Sequence, residues 1–300
     1  MSLVEKALEK MHAARAQSGS AVPKAVPRVA AENLAAVEAT NSSTNSYRVV
    51  STAPTRVISL NPAMLRQSGM LPPEHEENAV ARQYRQIKRP LIAAAMGRGV
   101  PALPNGRLLM VASGLPGDGK TFTSTNLALS IAKEKDINVV LADADVAKRH
   151  LSMVLGAADE PGLLDLLREP TRDVNSVIFP TDIPQLSVLP AGRRGDNSTE
   201  LLSSNRMEEM ARQLLYSDPD RIVVFDSPPL ILTTESQALA HIVGQVVVVV
   251  RAGVTPQSVV LDAIASLGDR PVSLILNQSV AHSATGYYYG YGDGREGSST

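Results

Sequence analysis

The sequence predicts a doubly wound α/β domain on a mainly parallel sheet, with a flexible N-terminal arm before it and a tyrosine-rich tail after it. Three observations carry that expectation. Apolar runs of strand length recur after Arg107, at 108–112, 138–142, 186–189, 222–225, 243–250 and 272–276. They are continuous rather than alternating, as in strands covered by helices on both faces. Helical stretches separate them, at 120–135, 162–168, 204–215, 234–240 and 257–266, and a glycine-rich turn joins the first strand to the first of these helices.

In chain order, residues 1–11 (M-S-L-V-E-K-A-L-E-K-M) form an amphipathic helix, with Leu3, Val4, Ala7, Leu8 and Met11 on one face and Glu5, Lys6, Glu9 and Lys10 on the other. Residues 12–59 are mostly Ala, Val, Pro, Ser, Thr and Asn without a helical or strand period, and read as a flexible linker. Residues 60–106 form a helical oligomerisation or lead-in segment. A short helix at 60–69 is entered through Asn61 and Pro62, Pro72 and Pro73 break it, and a second helix at 74–88 should end or kink at Arg89 and Pro90, with further helix at 91–96. Residues 107–278 are the α/β domain and 279–300 the tail.

A net charge of −1 gives no general attraction to nucleic acid or anionic lipid, and no nucleic-acid module is visible. The absence of cysteine rules out disulfides and thiolate metal sites. With neither a signal peptide nor an apolar run of about 18 residues, a cytoplasmic location is expected, and any membrane association should come through a partner.

Residues 114–121 read G-L-P-G-D-G-K-T, a full match to the phosphate-loop pattern G-x-x-x-x-G-K-[ST], placed between a strand and a helix as that pattern requires. Gly114, Leu115, Pro116, Gly117, Asp118 and Gly119 should turn backbone N–H groups toward phosphate oxygens, with Phe122 just beyond. Lys120 should reach the β- and γ-phosphates of ATP, and the Thr121 hydroxyl should ligate Mg²⁺. Asp143 and Asp145 end a strand, as does Asp226, and carboxylates at such positions lie beside a phosphate loop, where they hold Mg²⁺ directly or through water. The plainer readings are turn carboxylates relieved by Lys148 or Arg149, and for Asp226 a helix cap.

Four of the seven tyrosines, Tyr287, Tyr288, Tyr289 and Tyr291, stand together in the Gly- and Ser-rich tail, without the aliphatic residues that would bury them. They read as phosphoryl acceptors; an aromatic patch on the last turn of the domain is the alternative. A tyrosine hydroxyl, with a pKa near 10, must be oriented and relieved of its proton as the bond forms. Asp143 is preferred as the proton acceptor and Asp145 as its metal-linked partner, with Lys120 supplying charge neutralisation.

Together, S-G-L-P-G-D-G-K-T, L-A-D-A-D-V-A-K-R, D-S-P-P and Y-Y-Y-G-Y-G resemble bacterial tyrosine kinases that use P-loop chemistry. The N-terminal M-S-L-V-E-K-A-L-E-K and the segment R-Q-Y-R-Q-I-K-R-P resemble the autokinases of exosortase-linked exopolysaccharide loci. The resemblance implies an ATP- and Mg²⁺-dependent autokinase that phosphorylates its own tail and regulates polymer length or export. It implies a homo-oligomer whose subunits present tails to one another, and activation by the cytoplasmic end of a membrane-embedded polysaccharide chain-length determinant that recruits the chain to the inner face of the membrane. A counteracting tyrosine phosphatase completes the cycle. Asn277 resembles an asparagine that contacts adenine, although a strand-ending turn residue would look the same.

Two departures stand out. Where the family carries glutamate, arginine and arginine at threes on a subunit-joining helix, this chain has Arg82, Arg85 and Lys88, which also read as a solvated basic face. Two residues past Asp145, where arginine is usual, stands Ala147, followed by Lys148 and Arg149. The main rival is a partitioning or positioning ATPase, but its signature lysine after the first loop glycine is replaced by Leu115. The other is a nonenzymatic protein that binds ATP as a switch.

Overall fold

The structure is a computed structural model that describes residues 54–193, 195 and 198–279. The proposed helix at 1–11, most of the linker and the tyrosine cluster lie outside the described residues. In chain order the described elements are α1 (Pro62–Gln67), α2 (Glu77–Met96), β1 (Leu108–Ser113), α3 (Lys120–Ile131), β2 (Asn138–Asp143), α4 (His150–Val154), α5 (Leu163–Arg168), β3 (Phe179–Pro180), β4 (Leu186–Leu189), α6 (Ser198–Leu202), α7 (Asn205–Tyr216), β5 (Arg221–Asp226), α8 (Thr234–Ile242), β6 (Gln245–Arg251), α9 (Gln257–Ser266) and β7 (Val272–Asn277).

All of β1 is buried, and its side chains leave alternately toward two layers of helices. Leu108, Met110 and Ala112 join Val140, Phe225 and Val248 under α5, α7, α8 and α9. Leu109 and Val111 join Leu141, Val224 and Val249 under α2, α3 and α4. Burial on both faces is why these strands are continuously apolar.

Among the described residues the sheet has seven strands in the order β3-β4-β2-β5-β1-β6-β7. Only the short β3, which the sequence pattern did not reveal, runs antiparallel to its neighbour. The doubly wound architecture is therefore as expected. Strand order reverses around β1, so the β1–α3 turn opens at the switch point, where open α/β sheets bind ligands.

The lead-in segment is part of this core. Asn61 caps α1, its Oδ1 accepting from Ala63 N at 2.9 Å and Met64 N at 3.3 Å, with Pro62 in the first helical position. Tyr84 and Leu91 of α2 share the apolar cluster that contains Leu127 and Ile131 of α3. The helical stretches expected on either side of Arg89 and Pro90 form one helix, with α2 running through Pro90 to Met96. Proline removes a single backbone donor, and buried Leu91, Ile92 and Ala95 hold the last turns on the sheet.

Three further expectations are corrected. The linker was expected to extend to residue 59, yet Ile58 bridges to Thr181 at the sheet edge, and the Asp182 carboxylate accepts from Leu60 N at 3.0 Å and Ser59 Oγ at 2.8 Å. Helix α3 ends at Ile131 rather than 135, followed by a turn closed by Glu134 N on Ile131 O at 2.8 Å. Lys88, expected on a solvated or intersubunit face, is buried: its ammonium donates to Ser130 O at 2.6 Å and pairs with Glu134 at 2.6 Å. Arg82 and Arg85 are exposed on the same helix. Glu77, in the first turn of this helix, pairs with Arg66 at 2.7 Å.

Replacing Lys88 by Ala leaves Ser130 O with only the long bond from Lys133 N at 3.4 Å and removes the tie between α2 and α3. Urea unfolding of the variant is expected to show a loss of roughly 1–3 kcal/mol, less than for a fully buried pair because Glu134 is partly exposed.

Candidate functional site

The β1–α3 turn is built as a phosphate loop. Gly117 has φ +86° and Gly119 φ +100°, and a Cβ on Gly119 would stand 2.0 Å from Asn277 Nδ2. Glycine is thus required at 119 by both backbone conformation and close approach. The N-terminus of α3 follows at Lys120, directing its unpaired N–H groups into the loop.

Lys120 is buried, and its Nζ donates to Ser113 Oγ at 3.1 Å. Desolvation holds its pKa below the ordinary lysine value, opposed by the charges of Asp226, Asp145 and Asp118. The Thr121 hydroxyl donates to Asp226 Oδ2 at 2.7 Å. A hydroxyl beside a carboxylate at the start of the loop helix is a suitable seat for a hard cation.

Asp143 and Asp226 end neighbouring parallel strands in direct register. Both are buried. Asp226 is pushed up to about 7 by desolvation first, then by the charge of Asp143, against the Thr121 hydrogen bond and Lys120. Asp143 is pushed up to about 6 by desolvation, opposed by Ser152, whose backbone N and Oγ donate to Asp143 Oδ2 at 2.8 and 2.6 Å. The other oxygen of each, Oδ1, is buried without a hydrogen-bond partner. Two orphaned carboxylate oxygens beside a phosphate loop fit a divalent cation and its waters. Among the described residues no group of three or more His, Cys, Asp or Glu could by itself hold a metal ion; a Mg²⁺ here would need phosphate and water for the rest of its shell.

Asp145 lies on the wall of a cleft of about 1210 Å³, with Lys120, Thr121, Phe122, Lys148 and Asn277. The loop forms one end of this cleft, and Tyr84 of α2, Leu276 of β7 and Ser279 also line it. Of the basic residues that follow Asp145, Lys148 faces the cleft, whereas Arg149 donates to Gly192 O at 3.1 Å. Asn277 Nδ2 donates to Asp118 O at 2.9 Å, bracing the loop as well as lining the cleft.

The loop residues, Lys120, Thr121, Asp143, Asp145, Asp226 and Asn277 are thus brought together, while Tyr287, Tyr288, Tyr289 and Tyr291 lie outside the described residues. Sequence reasoning did not identify Ser113 and Ser152, which hold Lys120 and Asp143. Ser113 directly precedes the loop and was legible in principle. Ser152 is nine residues beyond Asp143, and only the fold of α4 brings it back.

No family model matches the chain. It is 32% identical over 183 residues to the tyrosine-protein kinase ptk of Acinetobacter johnsonii, across 60% of this chain and 24% of that protein. It is 28% identical over 211 residues to the tyrosine-protein kinase YwqD of Bacillus subtilis strain 168, across 69% of this chain and 85% of that protein. The kinase domain of the Escherichia coli tyrosine kinase ETK superposes with a TM-score of 0.58 at 26% identity, covering 70% of this chain and 80% of that one. The chain spans about a quarter of the length of the Acinetobacter protein.

Because Asp143 and Asp226 titrate above the ordinary carboxylate range, the unfolded chain gives up these protons first, and the nucleotide-free fold loses stability as pH rises through about 6 and about 7. Melting scans from pH 5 to 8 are expected to show this fall in the wild-type protein and a flatter profile in Asp226→Asn. The stabilisation by Mg²⁺-nucleotide should grow over the same window in the wild type and be lost in the variant.

Proposed function

We propose that this chain, which belongs to the bacterial P-loop tyrosine kinases, is an ATP-dependent autokinase that transfers the γ-phosphoryl group to its tail tyrosines, Tyr287, Tyr288, Tyr289 and Tyr291. The observation that carries the reading is a shared cleft: the phosphate loop and Asp145 line the same space as Ser279, and Tyr287 stands eight residues further on. Such a length of chain spans up to about 26 Å when extended.

In this reading the loop N–H groups and Lys120 bind the β- and γ-phosphates and stabilise the charge that builds during transfer. Mg²⁺ would be held by Thr121 and Asp226, with Asp143 and Asp145 alongside, and when bound supplies charge neutralisation on the phosphates. The bond from phosphorus to the tyrosine oxygen forms as the bond to the ADP leaving oxygen breaks, and the phenolic proton passes to a carboxylate. Asp143 is assigned that role because one of its oxygens has no donor. Asp145, on the cleft wall, is the metal-linked partner.

The biological setting belongs to the same proposal. The chain controls exopolysaccharide polymerisation, chain length or export in an exosortase-linked system. The cytoplasmic end of a membrane-embedded chain-length determinant activates it and recruits it to the membrane, and a tyrosine phosphatase resets it. Among the described residues no helix is long and apolar enough to cross a membrane. Self-association accompanies the cycle, although Arg82 and the buried Lys88 alter the helix expected to join subunits. Each added phosphate brings about −1.5 to −2 charges, so a modified tail is repelled from the acidic site.

Incubation with ATP and Mg²⁺, with and without the activating peptide, is expected to place phosphate on the four tail tyrosines. Lys120→Ala should reduce the rate by at least about 100-fold, and phenylalanine at all four positions should abolish the signal. ATP hydrolysis with unmodified tyrosines would instead favour a positioning-type ATPase, and binding with neither outcome a nucleotide switch.

A further inference from the structure

A carboxylate inside an anion-binding loop opposes its ligand on charge alone, yet Asp118 stands in the middle of this one, buried at 2% exposure. Its hydrogen bonds point to a compensating role. Oδ1 accepts from Thr255 Oγ1 at 2.7 Å, and Oδ2 accepts from Leu115 N within the loop at 3.2 Å. The Asp118 carbonyl accepts from Asn277 Nδ2 at 2.9 Å. Thr255 is anchored in turn, its Oγ1 accepting from Arg251 N at 3.0 Å. Arg251 and Asn277 are register partners at the ends of β6 and β7. One loop residue therefore connects the β1–α3 turn to two other strand ends.

We propose that Asp118 is a positioning residue, and Thr255 its partner, which together latch the phosphate loop open in its nucleotide-binding shape before ligand arrives. The carboxylate is satisfied from Thr255 and from Leu115 N, leaving the remaining loop N–H groups for phosphate. Asn277 completes the brace by occupying the space that Gly119 leaves free. A loop held this way binds without first ordering itself, so the latch acts on affinity in addition to any part it has in holding the fold. The inference rests on reading the loop as a nucleotide site, but it does not require that the bound nucleotide be used to phosphorylate tyrosine.

The test is calorimetric titration of the full chain with Mg²⁺-ADP, alongside melting of the nucleotide-free protein. Thr255→Val, which keeps the side-chain shape and removes the hydroxyl, is expected to raise Kd at least about 5-fold and to lower Tm modestly, since Asp118 Oδ1 and Arg251 N lose their shared partner. Thr255→Ser should restore affinity. Asp118→Ala should weaken binding by at least as much, and combining it with Thr255→Val should add almost nothing, because both changes break one connection. Unchanged affinity in Thr255→Val, or fully additive losses in the double variant, would overturn the latch. A wild-type chain that bound no nucleotide would overturn both the latch and the functional reading. One that bound tightly but phosphorylated no tyrosine would overturn only the kinase assignment, and the effects of these variants on Kd would still decide the latch.

Discussion

Two carboxylates at the ends of adjacent parallel strands cannot both carry full charge in a buried pocket, and the site is organised around that conflict. Asp143 and Asp226 sit in register, each with one oxygen tied by a hydroxyl and one without a donor. Desolvation raises both pKa values in the free protein, aided at Asp226 by the charge of Asp143 and at Asp143 by that of Asp145. A divalent cation held between them and a polyphosphate would relieve the repulsion, so the strain of the free state becomes a preference for the loaded one. Lys120 contributes a positive charge, but its own burial lowers its hold on the proton, so it offsets the conflict only in part.

The sheet sets this geometry. Its strand order places the phosphate loop and both acidic strand ends on one edge. The helices bury both faces tightly, so the carboxylates cannot move apart without exposing Val224 or Leu141 from the core. The α1–α2 segment contributes to the same edge, since Tyr84 and Arg66 line the cleft that the loop ends. It therefore acts as a wall of the site as well as a lead-in to the domain.

Much of this was legible in the sequence because strand ends and phosphate loops have local signatures. The loop spacing, the strand-terminal positions of Asp143 and Asp226, and most strand boundaries follow from patterns within a few residues. What the pattern did not disclose depends on distant partners. Lys88 reads as a solvated cation until Ser130 O and Glu134 meet it across a helix interface. Pro90 reads as a helix end or kink until the apolar face around Leu91 is seen to outweigh one lost hydrogen bond. Ile58 looks like linker until Asp182 and Thr181 capture the chain at the sheet edge. The bond from Thr255 to Asp118 spans 137 residues and leaves no local trace.

The central claim, that the acidic strand ends are held in a high-energy state which nucleotide and Mg²⁺ relieve, is tested most directly by carboxyl-detected nuclear magnetic resonance titration of Asp143 and Asp226. The account expects the free protein to show two carboxyls titrating near 6 and near 7, and both to fall into the ordinary carboxylate range when Mg²⁺-ADP is bound. Carboxyls that titrate normally in the free protein, or that keep their raised values in the complex, would contradict it.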